Sequence, residues 1–110
     1  MKILVIQQKM IGDVLTSTII CELLKNNIAS CEIHYLINSG TEAVVQNNPF
    51  VDHIILFKPE FKENKFKFYQ FLRSIRDYQF DIVIDVYRKV ESKLITLFSG
   101  ASKKISYKKL

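Results

Sequence analysis

Residues 1–15 read MKILVIQQKMIGDVL, and the order of features within them decides the fold. Ile3-Leu4-Val5-Ile6 is an unbroken aliphatic run. Four apolar residues without polar alternation predict a strand buried on both faces, as in a parallel sheet covered by helices. Gly12-Asp13 then opens a helical pattern. Val14, Leu15, Ile19, Leu23 and Leu24 fall on helical spacing, and Asn26-Asn27 close it.

The same alternation continues along the chain. Residues 32–37 (EIHYLI) predict a second strand, and Asn38-Ser39-Gly40-Thr41 a turn that caps a short helix through Gln46. Asn47-Asn48-Pro49 ends that helix. Residues 53–57 (HIILF) form a third strand, broken by Lys58-Pro59-Glu60. Phe68, Phe71, Leu72 and Ile75 recur at i, i+3, i+4 and i+7, the apolar stripe of an amphipathic helix. Residues 81–86 (DIVIDV) are the clearest strand. Residues 92–99 predict a helix with Gly100 at its C-cap, and residues 104–107 a fifth strand. Strands alternating with helices define an α/β class: an open parallel sheet of about five strands with helices on both faces.

Composition agrees with one such unit. A chain of 110 residues suits a single domain. With 48% hydrophobic residues it has the apolar content of an ordinary globular protein, and with only 3 Gly and 2 Pro it favours regular elements over loops. The net charge of +5 is uneven, concentrated at Lys58, Lys62, Lys65 and Lys67 and again at Lys103, Lys104, Lys108 and Lys109. Such a surface suits anionic partners, although a solvated lysine face accounts for each residue singly. Cys21 and Cys31 fit no zinc or redox spacing and read as reduced, buried thiols of a cytoplasmic protein. The run from Ile3 to Ile6 is too short for a signal peptide, and no stretch approaches a membrane span.

Open parallel sheets bind ligands at the carboxyl ends of their strands. Candidate site residues are therefore sought in Gln7-Gln8-Lys9-Met10-Ile11-Gly12-Asp13, Asn38-Ser39-Gly40 and Tyr87-Arg88-Lys89. Gly12 permits close approach of backbone to a ligand, or an unusual φ. Asp13 falls at the helix start. It is either a cap or a carboxylate facing the crevice that accepts a proton from a bound hydroxyl, and spacing alone favours the cap. Lys9 and Arg88 are candidate phosphate or carboxylate contacts, with solvated surface positions equally open to them. Asp85 reads as a turn residue closing its strand. His34 and His53 lie in strand patterns without an acidic or cysteine partner at ligand spacing, which marks them as packed or edge residues. G-x-G-x-x-G and G-x-x-x-x-G-K-[ST] are both absent, which argues against a dinucleotide-binding dehydrogenase and a P-loop nucleotidase. Interleaved Lys and Phe in residues 61–71 follow helical spacing, so a core stripe with lysines outside is favoured over a nucleic-acid surface.

The opening Met1-Lys2-Ile3-Leu4-Val5-Ile6 with Ile11-Gly12-Asp13-Val14-Leu15 resembles that of glycosyltransferase family 9, which includes the lipopolysaccharide heptosyltransferases. Asn47-Asn48-Pro49-Phe50-Val51-Asp52 is similar to the family's N-P-x-[VI]-D segment. Tyr78 to Asp85 resembles its YDLVIDL strand, and Leu97-Phe98-Ser99-Gly100-Ala101 with Lys104-Ile105 its SGA-x-[KR]-I-G segment. The likeness is collinear over essentially all 110 residues. It implies the Rossmann-like amino-terminal, acceptor-side domain of a two-domain, inverting GT-B transferase. Residues 1–110 would be an incomplete form of that domain, without the carboxy-terminal nucleotide-sugar-binding domain, and inactive alone. By position Asp13 matches the catalytic base, and Gly12 lets the loop lie close to the acceptor. The implied co-substrate is a nucleotide sugar of the ADP-heptose type. The implied acceptor is a lipopolysaccharide core or another glycolipid, and no metal or other cofactor is required. Location would be cytoplasmic, with peripheral contact to the inner face of an anionic membrane, and no nucleic-acid partner is implied. Gln7-Gln8-Lys9-Met10 and Tyr87-Arg88-Lys89 depart from the family's usual loops, so the acceptor need not be the enterobacterial inner core. Two other readings stand beside the transferase: a non-catalytic truncated α/β binding domain, and a small flavodoxin-like or response-regulator-like domain. The latter is weakened by the lack of a paired-acid cluster or a phosphate loop after the first strand.

Overall fold

The computed structural model describes residues 1–28 and 30–106, the side chain of Ile11 excepted. In chain order the elements are β1 (Lys2–Ile6), α1 (Ile11–Asn27), β2 (Glu32–Asn38), a 3₁₀ turn (Ser39–Val44), β3 (His53–Phe57), α2 (Glu60–Glu63), α3 (Lys65–Asp77), β4 (Ile82–Asp85), α4 (Val90–Phe98) and β5 (Lys103–Ser106). All five strands are parallel, in the order β3-β2-β1-β4-β5. This is the doubly wound order, in which the chain moves outward from β1 to one edge and then restarts at β4 beside β1. The flavodoxin-like order 2-1-3-4-5 is a different one, so that reading is set aside.

Strand alternation divides the core between two faces. Leu4, Ile6, Leu36, Ile55, Phe57 and Val83 face α3 and α4, where they meet Phe71, Leu72, Ile75 and Ile95. Ile3, Val5, Ile33, Tyr35, Ile37 and Ile84 face α1, where they meet Val14 and Cys21. The stripe predicted for α3 is the buried one. Phe57 takes Phe61, Phe68 and Phe71 edge-on at 5.4, 5.9 and 5.6 Å. Asn64 caps α3, its side chain accepting from the N–H groups of Phe66 and Lys67. Gly100 follows α4 with φ +73°, the left-handed conformation expected of a residue just past a helix end.

Three expectations need correction, and part of a fourth lies outside the described residues. On α1 the buried positions are Val14, Ser17 and Cys21, whereas Leu15, Ile19 and Leu23 are 53%, 55% and 56% exposed. The helix is apolar on more than one side, and the stripe that packs on the sheet is the one containing Ser17, whose hydroxyl accepts from buried Gln7. The segment after β2 is a 3₁₀ turn ending at Val44, and the Asn38 side chain does not cap it. Asn38 donates instead to the Gln8 carbonyl. The one-turn helix α2 had no sequence signal, and α4 begins at Val90, ahead of the expected Ser92. Of the expected fifth strand, Tyr107 lies outside the described residues.

Candidate functional site

A doubly wound sheet leaves a crevice where adjacent strands lead their connections to opposite faces, which here is between β1 and β4. The chain has a cavity of about 480 Å³ at that end, lined by Gln8, Lys9, Met10, Asp13, Asn38 and Tyr87. These residues come from the loop after β1, the first turn of α1, the end of β2 and the turn after β4. A larger hollow of about 620 Å³ lies between α3 and α4, lined by Arg73, Arg76 and Phe98 among others. It adjoins the amino ends of β4 and β5, away from the carboxyl ends where a parallel sheet binds ligands.

The β1–α1 loop is held from three sides. The Gln7 N–H donates to the Leu36 carbonyl at 3.0 Å, extending the β1–β2 ladder by one residue. The buried Gln7 side chain donates to Ser17 Oγ at 3.0 Å and accepts from the Lys9 N–H at 3.3 Å. Asn38 Nδ2 donates to the Gln8 carbonyl at 2.6 Å. Buried Tyr35 donates its hydroxyl to the Val14 carbonyl at 2.7 Å, fixing the first turn of α1 to the sheet. Burial pushes the Tyr35 phenol above its ordinary value, so it stays a neutral donor.

Asp13 lies within that first turn and is partly buried at the cavity wall. The cap position itself is held by Met10, which makes no side-chain cap, so Asp13 does not serve as the N-cap residue. Lys9 is exposed and shares the cavity with Asp13. Gly12 is in the helix, and the one glycine with positive φ among the described residues is Gly100, so an unusual φ does not explain Gly12. A Cβ built on Gly12 meets nothing within 4 Å. What remains is the open approach to the backbone. Arg88 is exposed, has φ +60° and is not among the lining residues. Asp85 is buried and accepts from the Arg88 N–H at 2.8 Å and the Ser92 hydroxyl at 3.0 Å. It is therefore the turn-closing residue that its position suggested.

Gln8, Asn38 and Tyr87 were inside the strand-end segments, though nothing in their residue types singled them out. Gln8 is the most informative. It is 3% exposed, and its Oε1 has no hydrogen-bond partner among the described residues. A buried acceptor left unpaired costs about 1–3 kcal/mol, which a ligand O–H or N–H would recover. The cavity thus combines a carboxylate, an ammonium group and a waiting acceptor, a set suited to a hydroxylated, anionic ligand.

No protein-family model matches the chain. It is 25% identical over 97 residues to lipopolysaccharide heptosyltransferase 1 of Campylobacter coli, a match covering 87% of this chain and 28% of that protein. Its fold is that of a region in the glycosyl transferase family 9 structure from Veillonella parvula, with TM-score 0.85, 22% identity, and coverage of 96% of this chain and 32% of the other. The E. coli ADP-heptose lipopolysaccharide heptosyltransferase II gives TM-score 0.79 and 22% identity, over 96% of this chain and 30% of the other. These similarities bear out the resemblance to family 9. The chain spans less than a third of the length of each of these relatives.

Proposed function

We propose that this chain is the acceptor-side domain of a heptosyltransferase-like glycosyltransferase, with Asp13 as the base that activates the acceptor. The observation that carries the reading is the cavity at the β1/β4 switch point, with Asp13 in its wall and Lys9 beside it. The likeness to heptosyltransferases supports the reaction class. In the proposed step, the Asp13 carboxylate takes the proton of an acceptor hydroxyl as that oxygen forms a bond to the anomeric carbon of the donor sugar. The bond from that carbon to the nucleoside diphosphate oxygen breaks, and attack from the opposite side inverts the centre. Lys9 pairs with a phosphate or carboxylate on the acceptor, and Gln8 Oε1 accepts from one of its hydroxyls. The donor, of the ADP-heptose type, is held by a second domain. The acceptor-side domain offers one wall of the cleft. No metal is assigned to the step. The acceptor is a lipopolysaccharide core or a related glycolipid, and the lysine excess suits a peripheral position at an anionic membrane surface in the cytoplasm.

Two measurements test this. Inner-core oligosaccharide titrated into the ¹⁵N-labelled chain should shift the amides of Gln8, Lys9 and Asp13, and shifts confined to other regions would displace the acceptor site. In a transferase containing this domain, Asp13→Asn should lower turnover by at least about 100-fold, the lower range of general-base contributions, with little change in acceptor affinity. Undiminished turnover would remove Asp13 as base and leave a binding domain.

A further inference from the structure

At the opposite end of the sheet, away from the cavity, the strand register assembles a second group of polar side chains. Glu32 opens β2, and His34 projects from the same face two residues later. Parallel pairing sets His34 directly against His53, the first residue of β3. The result is one Glu32 carboxylate oxygen, Oε1, at 3.0 Å from Nε2 of both His34 and His53. The imidazole centroids are 4.6 Å apart, and the donor atoms of all three residues lie within 4.8 Å of one another. This overturns the expectation that the two histidines lack an acidic partner. The Glu–His pairing is i, i+2 along a strand, and the second histidine arrives only through the β2–β3 register.

We propose that Glu32, His34 and His53 form a binding site for a divalent transition metal of the zinc type, with its remaining position open to water. Two imidazoles and a carboxylate match the ligand set of open zinc sites. Metal–ligand bonds of about 2.0–2.2 Å in tetrahedral geometry separate donor atoms by roughly 3.3–3.5 Å, so the two 3.0 Å spacings need open by only a few tenths of an ångström. His34 is the fixed ligand. It is 4% exposed and walled edge-on by Tyr78 and Phe80 at 5.3 and 5.0 Å. Glu32 and His53 are 41% and 56% exposed and give the ion an entry path.

Two features limit affinity. Lys2 lies near enough to act on both Glu32 and His34 with a positive charge. His34 Nδ1 is buried without a hydrogen-bond partner among the described residues. Coordination through Nε2 moves the ring proton to that nitrogen, where nothing accepts it. Ligating histidines without such support bind about 10- to 100-fold more weakly, which points to micromolar rather than nanomolar zinc. The imidazole-rich set favours Zn²⁺, Ni²⁺ or Cu²⁺ over Mg²⁺ and Ca²⁺.

The proposal is independent of the transferase reading, and its test needs no activity. Zinc chloride is titrated into the full chain at pH 7.5, with calorimetry and histidine side-chain NMR as readouts. One Zn²⁺ per chain is expected, with the ring signals of both histidines shifting and no response to Mg²⁺. His53→Ala and Glu32→Gln, both at exposed positions, should retain the native circular dichroism and weaken binding at least about 10-fold. No zinc binding would overturn the site. So would binding of equal strength in both variants, which would place the ion elsewhere.

Discussion

Gly12 allows packing and function to be separated at a single residue. Because a Cβ there meets nothing within 4 Å and the backbone is helical, Gly12→Ala should leave the fold intact. It should raise unfolding free energy by up to about 1 kcal/mol through helix propensity. If the open space is where the acceptor approaches, the same substitution lowers acceptor affinity several-fold by titration. Stabilisation without loss of binding would place the acceptor away from Gly12. The strand-end rule brings Lys9 and Asp13 to the cavity wall because it needs only the limits of β1, whereas Gly12, chosen by the same rule, is not among the lining residues. Arg88 was chosen by the same rule, and the turn closed by Asp85 carries it out of the cavity lining. Gln8 could not be chosen by residue type, since its significance is a buried Oε1 without a partner, which exists only once β1, β2 and α1 have closed around it.

At the scale of the element, α1 shows how an apolar helix can mislead. Val14, Leu15, Ile19, Ile20, Leu23 and Leu24 surround so much of it that hydrophobicity alone does not select a face. The structure selects the one with Val14, Ser17 and Cys21. Val14→Ala should therefore cost about 1–3 kcal/mol by removing buried methyl groups. Ile19→Glu, which a reading from spacing alone places in the core, should stay within about 0.5 kcal/mol of the parent. Urea unfolding of the two variants decides the matter, and the reverse order of costs would mean that the helix is rotated. Helix α3 was more legible because Phe68, Phe71, Leu72 and Ile75 fall on a single stripe and that stripe packs on the core, although Phe66 and Tyr69 lie exposed off it.

Across the whole molecule, stability should fall at alkaline pH. Cys21 lies fully buried between α1 and the sheet, and burial pushes its thiol from 9.0 up to about 12. The unfolded chain gives up that proton near 9.0 while the native state keeps it to about 12, so in this window the native state binds more protons and stability decreases as pH rises. Tyr35, buried on the same face with its phenol also raised, acts in the same direction. Chemical denaturation from pH 8 to 11 should show this slope, and Cys21→Ala should reduce it. An unchanged slope would locate the alkaline sensitivity in other groups. The sequence by itself determined the α/β class and nearly every element, because aliphatic runs, helical stripes and turn residues act over a few neighbouring positions. It also placed Asp13 at the start of the helix that follows β1. Only the tertiary structure decided which stripe of α1 is buried, which strand-end residues share the cavity, and that Glu32, His34 and His53 converge. Those outcomes depend on contacts between strands and helices distant in sequence, where register and close packing, not local propensity, set which side chains meet.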